Sequence, residues 1–252
     1  MSYFTDSHKP VALVTGGAKR LGKFITESLL VSHHVVVHYN NSSEAAEILR
    51  ANHPQLLSIR ADLTLPGAPA KLIENVVEQT GQLNLLVNNA AVFFSDAAEL
   101  VDLAKMKTLN LDAPVKLIES ARPHLSKTHG QIINIADIAA IQNFSQYKAY
   151  SRSKAALLEY MASHALPLAR EQIRVNTICP GLVLPSSSQR DSDTLDTLQQ
   201  QIPLQRIGHP EDVSSLVAFL ASSSFITGQV IAVDGGRLLN YTQRNQKTDV
   251  YQ

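Results

Sequence analysis

Tyr150 and Lys154 stand four residues apart in YKAYSRSKAALLEYM, a spacing that makes them neighbours on one helix face. An ammonium beside a phenol favours the tyrosinate and is expected to lower the phenol's pKa, making Tyr150 a proton donor usable near neutral pH. Tyr147 and Tyr160 lack that partner, because Ser151 and His164 lie four residues beyond them. Asp137 interrupts the apolar run QIINIADIAAI where a buried strand would run out. A carboxylate at that place reads as a helix cap or turn acid, or as a second catalytic acid. Burial beside an apolar strand is expected to raise its pKa, which suits proton transfer.

A second constellation is VALVTGGAKRLGK. Gly16 and Gly22 are spaced for a tight turn and close packing between a first strand and a first helix, whose free N–H groups can bind a pyrophosphate. Lys19 and Arg20 place two cations at a helix N-terminus, against the macrodipole, a cost that a bound phosphate offsets. Cofactor choice turns on the end of the second strand. It reads HYNNSS, with Asn40, Asn41 and Ser42 and no acid until Glu44, so a ribose 2′-phosphate is admitted and NADPH is the expected cofactor. Lys19 is the expected counter-charge.

The elements that must position these residues alternate along the whole chain. Apolar runs at 11–15, 34–39, 56–61, 83–89, 131–136, 173–179 and 229–234 predict seven strands. Amphipathic segments near 21–32, 43–52, 68–80, 96–107, 109–127, 149–169 and 210–221 predict the helices between them. The expected fold is a single-domain α/β Rossmann-type structure spanning 1–252, a doubly wound parallel sheet with its ligand crevice beyond the carboxyl ends of the strands. The polar stretch 185–201 reads as a disordered insertion or a mobile active-site flap, and the polar tail 241–252 as frayed. Pro167 lies inside the long helix of Tyr150, where a kink or an early turn is expected.

These features, in this order and spacing, resemble the short-chain dehydrogenase/reductase family over nearly the whole chain. The matching pieces are TGG…LG, AD at 61–62, NNA at 88–90, Asn110, Tyr150 with Lys154, PG at 180–181 and DGG at 234–236. The resemblance implies that Tyr150 moves the substrate proton, that Lys154 holds the nicotinamide ribose and that Asn110 anchors a water relay. It also implies that Asp62 lies against the adenine, and that Leu21, Leu63, Asn89, Ala90, Pro180 and Gly181 line the cofactor. Two departures matter more. Where the family usually has a serine, thirteen residues before its tyrosine, this chain has Asp137, and where most members carry a middle glycine it has Arg20. With Phe93 shortly after NNA, these departures resemble the pteridine reductase branch, whose members, bacterial dihydromonapterin reductases among them, reduce pterin rings with NADPH. In that branch the aspartate and tyrosine are the acid pair, the arginine faces cofactor phosphate and substrate, and the phenylalanine stacks on the pterin. GLVLPSS and DGGRLLN fit it as well.

The expected function is therefore reduction of a dihydropterin or dihydrofolate to its tetrahydro form. A general carbonyl reductase is the alternative, and a cofactor-binding protein that has lost catalysis a third reading. The family commonly forms homotetramers, with which the apolar ALLEYM and VIAVD are compatible. Lys plus Arg equals Asp plus Glu at 22 each, so no global field invites nucleic acid or anionic lipid. The nine histidines are scattered without a carboxylate cluster, so no metal is expected, and the single Cys179 reads as a small buried hydrophobe. The opening MSYFTDSHKP has no apolar h-region and no run of 18 apolar residues occurs, so a cytoplasmic location without a membrane span is expected.

Overall fold

The computed structural model describes residues 9–184 and 192–240. Seven strands, β1 (Val11–Thr15), β2 (His34–Tyr39), β3 (Leu57–Arg60), β4 (Leu85–Asn88), β5 (Gln131–Ile135), β6 (Arg174–Pro180) and β7 (Val230–Val233), form one sheet in the order β3-β2-β1-β4-β5-β6-β7. Every pairing is parallel. The order reverses between β1 and β4, so a crevice opens at that switch point beyond their carboxyl ends.

The strands read as continuous apolar runs because both faces are covered. In β1, Val11 and Leu13 face one core and Ala12 and Val14 the other, as a period of two requires. The first core is closed by α3 (Ala68–Thr80), α5 (Ala113–Thr128) and α7 (Lys148–Arg170), through residues such as Leu72, Leu117 and Met161. The second is closed by α1 (Arg20–Leu29), α2 (Ser43–Asn52) and α9 (Pro210–Ser222), through Ile25, Leu49 and Val217. The expected doubly wound sheet is present.

Several boundaries differ from the sequence expectation for identifiable reasons. The segment expected as a helix over 96–107 is helical only in α4 (Leu100–Lys107). Asp96 instead turns its carboxylate to the start of α7, accepting the N–H groups of Lys148 and Ala149 at 2.9 and 3.0 Å. Those bonds to orphan donors hold its pKa below the usual carboxylate value. Between α4 and α5 lies a π turn, Thr108–Asp112, which carries Asn110. Pro167 does not end α7, which continues to Arg170. A short α6 (Ala139–Gln142) was not expected, and within the polar stretch 185–201 residues 192–200 form α8 (Ser192–Gln200). Residues 185–191 and the tail 241–252 lie outside the described residues. Among those described, no helix is long and apolar enough to cross a membrane.

The opposite edge of the sheet carries an acid sensitivity. His33, between α1 and β2, is buried, and burial with the nearby Lys9 charge lowers its pKa to about 4. Between pH 6.5 and 4 the unfolded chain takes up a proton that the folded chain refuses, so stability falls as pH falls. The loss through this residue reaches about 3 kcal/mol, at 1.36 kcal/mol per unit. Thermal melts across this range are expected to show the decline in the wild type and a flatter curve in His33→Gln.

Candidate active site

The carboxyl ends of β1, β2 and β4 frame a cleft of about 340 Å3. Eleven residues expected to hold the cofactor line it: Gly16, Lys19, Arg20, Leu21, Asn40, Asn41, Ser42, Asp62, Leu63, Asn89 and Ala90. The loop after β1 is shaped for a close approach. Gly16 has a φ of +62°, and a Cβ on Gly22 would overlap the Gly16 carbonyl oxygen and come within 2.7 Å of Asn89 Nδ2. Asn89 Nδ2 itself donates to the carbonyls of Thr15 and Gly16, tying the two strand ends together. Gly22→Ala is therefore expected to weaken cofactor binding at least about tenfold by displacing this backbone, as a fluorescence titration with reduced cofactor would measure.

Arg20 occupies the place of the middle glycine, and its backbone accounts for that glycine. Its φ is +50°, a left-handed conformation open to glycine and costly by roughly 1 kcal/mol for an arginine. Its guanidinium Nη2 donates to the Leu184 carbonyl at 2.9 Å, bridging the glycine loop to the segment after β6. Sequence reading also passed over two cleft residues. His38, set aside with the other histidines, accepts the Gly16 N–H on Nδ1 at 3.2 Å and lies 3.0 Å from the Ala61 carbonyl through Nε2. It thus anchors the phosphate loop to the strand beneath, and burial lowers its pKa. Lys105, from α4, adds a cation to the lining. A histidine inside an otherwise apolar strand was the available signal for the first.

Beyond β5, Asp137 and Tyr150 meet. The Tyr150 hydroxyl donates to Asp137 Oδ2 at 2.9 Å, while Asp137 Oδ1 accepts the Ala139 N–H at 2.8 Å. One oxygen of Asp137 thus makes the expected turn bond, and the other faces the Tyr150 hydroxyl. Burial raises the pKa of Asp137. The expected lowering of the Tyr150 pKa is not found. Burial first, then the Asp137 charge and hydrogen bond, push the phenol well above its ordinary value. Lys154 is buried, its Nζ donating to the Ile135 carbonyl at 3.0 Å and lying 5.9 Å from the Tyr150 ring centre. Burial lowers its pKa to about 8.

Asn110 is buried in the π turn and acts on backbone. Its Oδ1 accepts the Val92 N–H and its Nδ2 donates to the Val92 carbonyl, both at 2.9 Å, with a longer bond to Ser153 Oγ. This fixes the chain just before Phe93. Of the two adjacent phenylalanines, Phe93 is exposed while Phe94 is partly buried against the small cluster of Met106, Ala139 and Tyr150. Tyr147 is no bystander, because it stacks on Phe93 at 4.4 Å between ring centres, and Phe93 meets Tyr150 edge-on at 4.6 Å. One face of Phe93 is therefore already covered. Pro180 and Gly181 lie at the end of β6, where the Pro180 carbonyl accepts the Ile138 N–H and Gly181 N–H bonds Val233. They set the turn of Asp137 and do not line the cleft. Cys179 is fully buried, and burial pushes its thiol up to about 11, as a packing role requires.

A doubly wound sheet with a glycine loop at its switch point and a Tyr–Lys–Asp cluster beside it defines a nucleotide-dependent oxidoreductase architecture. A family model described as Enoyl-(Acyl carrier protein) reductase matches residues 30–237, and the chain belongs to the short-chain dehydrogenase/reductase family, whose members are oxidoreductases using a nicotinamide cofactor. It is 32% identical over 240 residues to a tropinone reductase homologue of Arabidopsis thaliana, covering 91% of this chain and 90% of that one. It is 31% identical to the 3-oxoacyl-[acyl-carrier-protein] reductase FabG of Staphylococcus epidermidis, over 89% of this chain and 97% of the other. Among solved structures, the Pseudomonas aeruginosa RhlG/NADP active-site complex superimposes with a TM-score of 0.83 at 30% identity, covering 90% of this chain and 96% of that chain.

Proposed function

We propose that this enzyme is an NADPH-dependent reductase of dihydropterins. The observation that carries the reading is the Tyr150–Asp137 hydrogen bond of 2.9 Å, which puts a carboxyl group where a carbonyl reductase needs only a hydroxyl donor. Reducing a C=N bond leaves a nitrogen that must gain a proton as its neighbouring carbon is reduced. Burial raises the pKa of Asp137, so its carboxyl keeps a proton to higher pH, nearer the range a general acid needs. The bound cofactor supplies the hydride. The glycine loop and Lys19 hold its phosphates, Asn41 and Ser42 leave room for a 2′-phosphate, and the buried Lys154 holds the ribose. The NADP complex of RhlG supports the choice of cofactor. The exposed face of Phe93 offers a surface for a flat heterocycle, and Arg20 a donor for a ring carbonyl or phosphate.

A second reading, general carbonyl reduction, is favoured by the names of the reductases that the chain resembles. NADPH oxidation with dihydrobiopterin, dihydromonapterin, dihydrofolate and a panel of ketones separates the two, run beside Asp137→Ser. Dihydropterin turnover that collapses in the variant supports the proposal. Ketone turnover that survives it, with pterins inert, overturns it. The proposal extends to a single-domain homotetramer in the cytoplasm. Exposed Phe219, Phe225 and Val230, on α9, the following loop and the edge strand β7, support assembly, which sedimentation velocity would test.

A further inference from the structure

Arg237, just after β7, is the cation that the site uses least visibly. Its Nη2 donates to Gln201 Oε1 at 2.8 Å, immediately after α8, and its guanidinium lies 5.5 Å from the ring centre of Phe144. Its Nε is buried and, among the described residues, has no hydrogen-bond partner. The Phe144 ring can satisfy the flat face of the guanidinium, but it offers no acceptor in the guanidinium plane, where the Nε–H points. A buried, charged donor left unpaired is costly enough to require a reason.

The surroundings supply one. Phe144 packs both with the cluster containing Tyr150 and with the one containing Ala136, Ile138 and Cys179, the residues around Asp137, and Leu238 joins the second. Arg237 also feels the charges of Asp137 and Asp234, and burial lowers its pKa. Asp234 is committed to its own turn, its two oxygens accepting the N–H groups of Gly236 and Leu238. Among the described residues the free donor therefore has no acceptor.

We propose that Arg237 is a substrate-binding residue, its Nε–H donating to an electronegative acceptor of the substrate, a ring carbonyl or carboxylate oxygen, held near Asp137. The substrate then lies between two arginines, Arg20 at the glycine loop and Arg237 beneath α8. This rests on the reductase reading but not on the pterin, because any substrate reduced beside Asp137 meets the same donor.

The test compares Arg237→Met, Arg237→Lys and Gln201→Leu with the wild type, using dihydrobiopterin and the best ketone of the panel. Arg237→Met is expected to raise the substrate KM ~10- to 100-fold, the effect of losing a hydrogen bond to a charged group, with cofactor affinity and melting temperature preserved. Arg237→Lys is expected not to restore KM, since it lacks the Nε–H. Gln201→Leu, which removes only the Nη2 bond, is expected to leave KM near the wild-type value.

The pH profile gives an independent readout. The groups with charge acting on Asp137 are Tyr150 and Lys154 from α7, Cys179 from β6 and Arg237. Removing the Arg237 charge disfavours the carboxylate, so the limb belonging to the acid pair moves to higher pH in Arg237→Met and stays in place in Arg237→Lys. An unchanged KM in Arg237→Met overturns the inference. So does full rescue by lysine, or a Gln201→Leu variant that reproduces the whole KM rise, which would make Arg237 only a latch on α8. Failure of the pterin reading looks different: the wild type leaves dihydrobiopterin unreduced, and the same comparison is then decided on the ketone.

Discussion

Asp137→Asn is expected to slow dihydropterin reduction by about 10²–10⁴-fold, the usual worth of a positioned acid. The amide keeps the size of the side chain and can still accept the Ala139 N–H that Asp137 Oδ1 accepts now. Its Nδ2 then takes the place of Oδ2 and donates to the Tyr150 hydroxyl, so the contact survives with its direction reversed. What it loses is a transferable proton. Cofactor affinity is expected to remain unchanged, because Asp137 lies outside the cleft at the ends of β1, β2 and β4 whose residues would hold the phosphates and adenine. Steady-state kinetics with a parallel cofactor titration check both parts. A fall below tenfold would mean that Tyr150 alone serves as the acid.

Lys154→Met is expected to abolish useful turnover and at the same time to stabilise the cofactor-free protein. Lys154 is buried and its pKa is lowered to about 8 from 10.5, which corresponds to about 3 kcal/mol of native-state penalty at neutral pH. Methionine removes the charge at similar length but leaves the Ile135 carbonyl without its partner, at about 1 kcal/mol. The net gain of about 2 kcal/mol raises Tm by roughly 4–8 °C for a chain of this size. Its pH dependence follows from the sign of the shift. Between pH 8 and 10.5 the unfolded wild type holds a proton that the folded protein has released, so wild-type stability rises with pH and the advantage of the variant shrinks. Melting curves at pH 7 and pH 10 test this. A variant less stable than the wild type at pH 7 would mean that the carbonyl bond outweighs the buried charge.

The strands and most helices were legible because a parallel sheet covered on both faces writes its apolar runs directly into the chain. Most of the cleft lining was legible too, since its pieces at 16–22, 40–42, 62–63 and 89–90 follow strand ends, while His38 in β2 and Lys105 on α4 do not. What escaped were bonds between segments far apart in sequence. Asp96 lies 52 residues before the helix start that it caps, and nothing near it marks that destination. The Tyr150 pKa was misjudged for a related reason. Its lysine neighbour is written in the sequence at four residues, while the dominant influences, burial and Asp137, come from packing. Arg237 was visible only as part of DGGRLLN, because an orphaned Nε exists only once Phe144, Gln201 and Asp234 have taken their places.

The π turn at Thr108–Asp112 has a consequence for how the whole face between α4 and α5 is phased. One surplus residue rotates everything downstream by roughly 100° relative to a regular helix. Upstream, Met106 is thereby aimed at the aromatic cluster around Tyr150, while downstream Ala113, Leu117 and Ala121 are aimed at the sheet core. A regular rod could not serve both directions. The turn acts as a clutch between two stripes, and Asn110 stands at the point of slip, where a wider coil leaves room for its side chain to grip Val92.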